Sequence, residues 1–552
     1  NKIYDDYEIE IKTPFKYFEK IKKRENTEGE FLNNSMNFIL QGVYSSRIYI
    51  KQANANSQWL LTRISEPLQA IGHYFYNTKN KQNEINYAYK MLIKNHAHDS
   101  IYGCSIDEVY DEIMIRYKKT DTVSKGVIKR TIRDLSDKNA PLCIINLSNF
   151  NYSGKVKIIT EKHLPSWLHA LKISEKKGFT DEKLYNINDI PVTEDITDIY
   201  EYIIDVKNIN AFSLTQIKKE NICNENYIKV SNSFIENKNI KIEIKNKKLI
   251  FTDKKRNEKY QDFISIKDRA DIGDSYNFGA LINDKELKAD LSNFKIKEVN
   301  DKRAVLNLIY NIKIPQNSTK KGRNKKSYNH KINIDIILYN QAEYIEFKVN
   351  WENKSKNHIM QVCFKLKEKI YSTLNEDLFG ITKRRFNPDY NIYKEIPAGK
   401  GKELKVNTSP MQRFMQSQNF GLFVKGNNEY EVYKNEIKLT ILRSSGIISN
   451  AENPCRGTPA GPPLKTADLQ CTGKNYANFA IAFINTENDL YRLAEEFYEP
   501  YVTLFSNHEN KIFLKPETNN QLVYAVKTEN NKLVARCYER QKEEIKNIVI
   551  KD

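Results

Sequence analysis

Two histidines and an aspartate lie close together in one short polar segment of the chain, Asn95-His96-Ala97-His98-Asp99-Ser100. Imidazole is well suited to bind zinc at neutral pH, and an adjacent carboxylate can orient a ligand or a bound hydroxyl. A zinc site needs three or four protein ligands, however, and the sequence has no second cluster of His, Cys and Asp. If His98 binds a metal, we therefore expect the other ligands to come from outside these 552 residues. A simpler interpretation also stays open, in which both histidines only satisfy backbone groups at a helix end.

The residues on both sides of this segment predict two amphipathic helices, with His98 in the break between them. Apolar side chains recur at helical spacing before and after the break: Ile85, Tyr89, Leu92 and Ile93, then Ile106, Val109, Tyr110, Ile113, Met114 and Tyr117. Ser105 and Glu108 have the spacing of a capping box, which predicts Ser105 as the cap of the second helix. Gly103 permits the intervening turn. His98 and Asp99 are therefore expected at a helix end or in a loop, where functional side chains are often presented.

The spacing of the apolar residues changes near residue 140, which predicts a helical part followed by a β part. In the helical part, Pro67 is expected to kink or split a long helix. In the β part, apolar and polar residues alternate, as in Ile240-Lys241-Ile242-Glu243-Ile244, which is typical of half-buried antiparallel strands. The expected fold class is α+β and multidomain. It comprises a helical bundle (15–118), a small β domain (120–230), a large β-sandwich (231–454) and a C-terminal β domain (455–552).

Charge and composition exclude several classes of protein. The chain has 88 Lys and Arg against 70 Asp and Glu, a net charge of +18, but the lysines are spread along it. The densest basic run, 320–326, lies between two predicted strands like a solvated hairpin loop, so we expect no nucleic-acid partner. No apolar run has the length of a membrane span, so no membrane partner is expected either. The seven cysteines are scattered without a Cys-x-x-Cys motif, which argues against disulfides and favours a cytoplasmic protein.

Several longer motifs follow one another along the chain in an order known from one enzyme family. They are Gly42-Val43-Tyr44-Ser45-Ser46-Arg47-Ile48-Tyr49-Ile50-Lys51-Gln52-Ala53-Asn54, the His98 segment continued by Ile101-Tyr102-Gly103-Cys104-Ser105-Ile106-Asp107-Glu108-Val109, Asp271-Ile272-Gly273-Asp274-Ser275-Tyr276-Asn277-Phe278, Leu442-Arg443-Ser444-Ser445-Gly446, Arg456-Gly457 and Gln470-Cys471-Thr472-Gly473. This series resembles glycoside hydrolase family 38, the zinc-dependent α-mannosidases, in its bacterial branch. The resemblance extends from about residue 15 to the end of the chain.

The resemblance implies a fold and a missing part. The large β-sandwich is expected to resemble that of galactose mutarotase. Members of the family begin with an α/β catalytic domain that carries a His-x-Asp zinc motif, an Asp nucleophile and an acid/base Asp, and none of these segments is found in this sequence. Residues 1–14 are therefore interpreted as the tail of that domain. Both catalytic carboxylates are expected upstream, so no catalytic residue is assigned here and this chain alone is expected to be inactive.

The resemblance also implies roles for four residues of this chain. His98 would be the zinc ligand, and Asp99 would hydrogen-bond the mannose hydroxyls or orient the metal site. Tyr276 and Arg456 would contact the sugar from two turn-rich loops bordering one pocket with His98. The residues alone leave other interpretations open, namely an ordinary β-turn around Tyr276 and a loop-bracing role for Arg456.

The family's chemistry is hydrolysis of terminal α-mannosides with retention of configuration, with zinc bound to vicinal hydroxyls of the mannose. The implied partner is therefore a mannoside or an oligosaccharide, and assembly into a homo-oligomer is left open. The alternative is a non-catalytic carbohydrate-binding β-sandwich protein with a helical adaptor.

Overall fold

The helices begin with a short one near the start of the chain. The structure, a computed structural model, describes residues 12–20, 30, 38–179, 197–516, 518, 520–540 and 544–550. Helix α1 (Pro14–Lys20) begins at a proline, where no backbone donor is needed, and the Lys16 amide donates to Thr13 Oγ1 over 3.4 Å. It belongs to a separate unit, residues 1–33, whereas residues 34–552 form one compact unit.

The helical part of the larger unit extends from residue 41 to residue 135. A 3₁₀ turn at Gln41–Tyr44 leads into five helices: α2 (Ile48–Trp59), α3 (Glu66–Tyr76), α4 (Gln82–Lys94), α5 (His98–Tyr102) and α6 (Asp107–Leu135). Ile50, Ile85 and Ile113 are among the residues of its apolar core. No helix of the described part of the chain is long and apolar enough to cross a membrane.

Two boundaries of α6 differ from the sequence-based expectation. The helix continues past residue 118 to Leu135, because its buried face continues with small polar residues, Thr120, Ser124 and Thr131, that do not look apolar in the sequence. The predicted capping box is wrong, since Ile106 occupies the N-cap and no side chain caps the helix. The Ser105 amide instead donates to the Tyr110 hydroxyl over 3.0 Å.

A π-helical turn, Leu60–Ser65, joins α2 to α3 without a break in the chain direction. Pro67 follows in the first turn of α3. Because proline has no N–H, the carbonyl four residues earlier, that of Arg63, cannot receive its usual helical bond. A local change from α-helical to π-helical pitch is the expected result of this missing bond. The kink predicted at Pro67 is therefore replaced by a π-helical turn just before Pro67.

The remainder of the described chain is almost entirely antiparallel β-structure, which confirms the predicted fold class. Its strands, in chain order, are β1 (Leu142–Asn146), β2 (Tyr152–Thr160), β3 (Leu171–Phe179), β4 (Thr197–Ile209), β5 (Ser213–Gln216), β6 (Lys229–Ser231), β7 (Phe234–Glu236), β8 (Ile240–Lys245), β9 (Lys248–Asp253), β10 (Glu258–Gln261), β11 (Ile264–Ala270), β12 (Leu287–Lys288), β13 (Asp290–Val299), β14 (Arg303–Pro315), β15 (Ser318–Thr319), β16 (Gly322–Arg323), β17 (Ser327–Tyr339), β18 (Tyr344–Asn353), β19 (His358–Lys365), β20 (Ser372–Asp377), β21 (Gly380–Arg385), β22 (Thr408–Pro410), β23 (Phe414–Ser417), β24 (Phe420–Val424), β25 (Glu429–Tyr433), β26 (Glu436–Ser444), β27 (Gly473–Phe483), β28 (Tyr501–Phe505), β29 (Lys511–Ile512), β30 (Gln521–Glu529), β31 (Lys532–Glu539) and β32 (Glu544–Ile550). Helix α7 (Glu487–Tyr498) lies between β27 and β28.

The large central β region contains three sheets that share one apolar core. Their strand orders are β13-β14-β17-β18-β27-β24-β23-β20-β21, β12-β11-β19-β26-β25-β22 and β10-β9-β8-β7-β6. The alternation predicted for β8 is confirmed, because Ile240, Ile242 and Ile244 are buried and the residues between them are only partly so. These side chains pack in the same core as Phe347 and Phe479.

The described strands beyond residue 455 are divided among three sheets, two of which also contain earlier strands. Strand β27 lies in the middle of the nine-stranded sheet, between β18 and β24. Strands β28 and β29 join β1 and β5 in a four-stranded sheet. Strands β30–β32 form a separate sheet. The domain boundary expected near residue 455 thus separates strands that are hydrogen-bonded to each other. The alternation of apolar and polar residues along one strand does not show which other strand it pairs with.

Candidate functional site

His98 and Asp99 form the exposed first turn of α5. The side chains are 81% and 56% exposed, and His98 Nε2 lies 3.6 Å from Asp99 Oδ2. His96, by contrast, is held by a hydrogen bond of 2.8 Å between its Nε2 and Asn54 Oδ1. Gly103 ends α5 with φ of +86°, and a Cβ there would lie 3.0 Å from the Ser46 carbonyl oxygen, so the turn requires glycine.

The backbone under this exposed pair is fixed by buried polar side chains. The Tyr110 hydroxyl donates to the Asp99 carbonyl over 2.9 Å. The Lys51 ammonium donates to the carbonyls of Tyr102, over 3.0 Å, and of Ser46. A helix of five residues has little stability of its own. These bonds therefore determine where His98 and Asp99 are presented.

Arg47 and Lys51 connect this segment to the long motif at the start of α2. The Arg47 guanidinium is fully buried, lies 3.9 Å from the centroid of the Tyr110 ring, and pairs with Asp107 over 2.7 Å. Burial lowers the pKa of Lys51 to about 7. Both residues lay inside a recognised motif, but neither was assigned a role from the sequence, because a lysine that bonds carbonyls has no spacing signature.

The loop 271–278 is organised by two buried aspartates. Asp271 accepts hydrogen bonds from the amides of Gly273 and Gly279, each over 2.8 Å. Asp274 accepts the amides of Tyr276 over 3.0 Å and of Asn277 over 2.9 Å. The sequence predicts a β-turn here, and the carboxylates show why it is so tightly closed.

Arg443 joins this loop to the helical part. Its Nε donates to Asp271 over 2.7 Å, and its Nη1 donates to the Gly42 carbonyl over 2.9 Å. A nearby buried carboxyl group, that of Glu429, has its pKa raised to about 7 by burial. Arg443 thus joins the loop of the β part to the entry of α2.

Tyr276 lies between the loop and the turn after α5. It is largely buried and packs in one apolar cluster with Val43, Cys104 and Ile448. Burial, and then electrostatic interactions with Cys104 and Asp99 among others, raise the pKa of Tyr276 to about 12. The structure therefore brings Tyr276 close to the Asp99 segment, although 177 residues separate them in sequence.

Arg456 lies beside Tyr276 but not on a pocket rim. Its Cζ is 5.7 Å from the centroid of the Tyr276 ring. The side chain is fully buried, pairs with the equally buried Asp274, and donates from Nε to the Thr458 carbonyl over 2.8 Å. The Asn277 amide oxygen accepts a further bond. Every guanidinium nitrogen thus has a protein partner, so this geometry supports the loop-bracing role rather than the expected direct contact with sugar.

The described residues do not contain a complete metal site. No group of three or more His, Cys, Asp or Glu in the described part of the chain could hold a metal ion. His98 and Asp99 are donors of the right type for zinc but too few for its usual coordination.

The basic run 320–326 forms part of a hairpin and makes ion pairs with carboxylates. Strand β15 lies just before the run and pairs with β16, which lies inside it, between β14 and β17. Arg323 donates to Asp268 and Asp284, each over 2.7 Å, and Lys320 pairs with Glu452. Two of its cations are therefore already paired with carboxylates.

Two protein-family models match this chain. The α-mannosidase middle domain matches residues 39–135, and the glycosyl hydrolases family 38 C-terminal domain matches residues 235–446. Together they cover more than half of the sequence and include His98, Tyr276 and Arg443. The chain belongs to glycosyl hydrolase family 38.

Its relatives are distant and longer. A protein of Halalkalibacterium halodurans named a mannosylglycerate hydrolase is 24% identical over 87% of this chain and 58% of its own length. An α-mannosidase structure from Enterococcus faecalis V583 has a TM-score of 0.75 and 20% identity over 91% of this chain and 63% of that one. A second family 38 structure from Enterococcus faecalis has a TM-score of 0.73, also at 20% identity, over 91% of this chain and 65% of that one.

These comparisons establish the fold of the family 38 chain rather than its chemistry. The chain spans 58–65% of the length of these three proteins. The fold that they share is the helical part followed by the β part described above.

Proposed function

We propose that this chain forms the helical and β portions of a zinc-dependent, retaining α-mannosidase that hydrolyses terminal α-mannosides. The observation that carries the proposal is the contrast at α5. An imidazole and a carboxylate are exposed, whereas the backbone beneath them is fixed by buried bonds from Lys51 and Tyr110. Exposed polar groups on a rigid base are what a preorganised site requires, and packing of the domain does not require them. Family membership supports the choice of substrate class.

His98 is the zinc ligand in this proposal, and Asp99 bonds mannose hydroxyls or orients the ligand. Bound zinc would supply Lewis-acid polarisation of the sugar hydroxyls. Because one imidazole and one carboxylate leave the coordination incomplete, residues outside the described part of the chain would supply the other ligands. Both catalytic carboxylates are likewise assigned outside it, so we expect these 552 residues alone to show no hydrolysis.

Tyr276 and Arg456 have different roles in the proposal. Tyr276 is the sugar contact in this proposal, because it combines an aromatic ring with a hydroxyl and lies near the Asp99 segment. Arg456 acts through Asp274, because the Asp274 carboxylate pairs with Arg456 and also accepts a hydrogen bond from the backbone amide of Tyr276. It is therefore a positioning residue.

The first prediction uses two neighbouring histidines as a matched pair. In the complete gene product that contains these residues, His98→Ala should remove both the bound zinc and the hydrolysis of 4-nitrophenyl α-mannoside. His96→Ala should retain most of both, because the His96 ring is already hydrogen-bonded to Asn54. Metal analysis and activity assays on the folded variants measure the two outcomes, and full zinc occupancy in His98→Ala would refute the assignment.

One observation also favours the second candidate, a non-catalytic carbohydrate-binding protein. The described residues contain no complete metal cluster. Under this alternative, the complete gene product would bind mannosides without hydrolysing them, and chelation of divalent metals would leave that binding unchanged.

A further inference from the structure

A concave pocket lies where α2, the π-helical turn, α7 and β30 meet. We name it the Trp59 pocket; its lining includes Trp59, Arg63, Arg413, Tyr491, Glu495 and Tyr524. It holds about 160 Å³ and includes none of the four residues assigned to mannoside and zinc binding. An apolar cavity of about 150 Å³ is enough for a single six-membered ring, so the pocket has the size for one ring rather than an oligosaccharide.

Three polar atoms of the lining residues are buried without partners. They are the hydroxyls of Tyr491 and Tyr524 and the Nε of Arg63, none of which makes a hydrogen bond to the described residues. Tyr491 is only 1% exposed. A buried polar atom left without a hydrogen bond costs stability, and such atoms are uncommon in folded proteins. Three such atoms at one pocket leave hydrogen-bonding capacity that suits a ligand rich in hydroxyl groups.

The guanidinium groups around the pocket are already paired with carboxylates. Arg63 pairs with Glu495 over 2.8 Å, and Arg413 Nε donates to both carboxylate oxygens of Glu376 over 2.9 Å. Asp377 adds a further carboxylate to the lining. With both guanidinium groups occupied and an excess of carboxylate, an anion is disfavoured and a neutral ligand fits best.

The pocket also presents aromatic surface on an unusual piece of helix. The Trp59 and Tyr498 rings have centroids 4.7 Å apart, and Arg63 comes from the π-helical turn. A π turn inside a helix is rare and is frequent at functional sites. Aromatic faces beside hydroxyl and N–H groups suit the C–H face and rim hydroxyls of a polyhydroxylated ring.

We infer that the Trp59 pocket binds a single neutral polyhydroxylated ring, such as a hexose. The ring lies against the aromatic side chains and bonds to Tyr491, Tyr524 and Arg63. Because lining residues come from the helical part, from α7 and from β30, a bound ring contacts all three of these regions. The inference does not depend on the mannosidase proposal.

The test uses the 552-residue chain with D-mannose, D-glucose and myo-inositol as neutral probes and glucose 6-phosphate as an anionic control. We expect saturable binding of at least one neutral probe by calorimetry and no binding of the phosphate. Tyr491→Phe should weaken the binding by roughly tenfold through the loss of one hydrogen bond. The same variant should keep its thermal stability, because the hydroxyl it loses has no partner in the described structure.

Two control variants separate the pocket from other sites. Tyr498→Phe should leave binding within roughly twofold, because that hydroxyl already donates to the Val424 carbonyl over 2.8 Å. Asp99→Asn should also leave it unchanged. The inference is overturned if no neutral probe binds saturably, if Tyr491→Phe binds like the unmodified chain, or if Asp99→Asn abolishes the binding.

Discussion

At the scale of single residues, the fully buried pair of Arg456 and Asp274 is costly to remove from water. Removing two charges from water costs several kcal/mol per ion, and the pair compensates for this only if the remaining polar atoms are bonded. That condition is met, because Asp274 also accepts the amides of Tyr276, Asn277 and Asn450. The pair therefore fixes the loop that carries Tyr276.

Arg456→Met should lower the free energy of unfolding by about 3–5 kcal/mol, since Asp274 would stay buried without its partner. The double variant Arg456→Met, Asp274→Asn should recover much of this loss. Urea unfolding followed by circular dichroism measures both. As a control, Lys138→Met removes an exposed pair with Glu161 and should change stability by less than about 1 kcal/mol. An equally small change in Arg456→Met would show that Arg456 is not structural.

At the scale of elements, α5 depends on contacts from α2 and α6. Lys51→Met removes the donor to the Tyr102 and Ser46 carbonyls. We expect the amides of residues 98–104 to exchange roughly tenfold faster, since one hydrogen bond holding the turn is lost. Hydrogen-exchange mass spectrometry measures this. Lys118→Met, on the exposed face of α6, should leave the exchange of that segment unchanged, and equal exchange in the two variants would contradict the prediction.

A second measurement on Lys51→Met uses pH. Burial lowers the pKa of Lys51 from 10.5 to about 7, so between these values the native state binds fewer protons than the unfolded state. The contribution of Lys51 to stability therefore increases with pH from about 7 to 10.5 and is constant below that window. The increase in the free energy of unfolding across this range should be smaller in Lys51→Met than in the unmodified chain.

Much of the fold was predictable from the sequence, but less of the site. Helical and alternating periodicities indicate burial directly, so the helices around His98 and strands such as β8 were expected. The hydrogen bonds by which Lys51 fixes the turn were not predictable, because their acceptors are carbonyl groups from distant parts of the backbone. The burial of Arg456 was not predictable either, since a loop arginine has the same local sequence whether it contacts solvent or a buried Asp274.

At the scale of the whole molecule, the central sheet is completed by a strand from late in the sequence. A fragment of residues 229–454 would lack β27, which lies between β18 and β24. It should therefore expose two strand edges inside the sheet and aggregate. A fragment of residues 229–498 retains β27 and α7 and should unfold in one cooperative transition. Light scattering and urea unfolding distinguish them, and a monomeric, cooperative 229–454 fragment would disprove the prediction.

The four-stranded sheet of β1, β5, β28 and β29 has a consequence for biosynthesis. Strand β1 ends at Asn146, whereas its partner β28 begins at Tyr501. At a synthesis rate of about 5–20 residues per second, β1 is synthesised roughly 20–70 s before β28. During that interval one edge of β1, including its buried Ile144 and Ile145, has no native partner. Until the last strands are released, this edge of β1 is open to pairing with other strands or other chains.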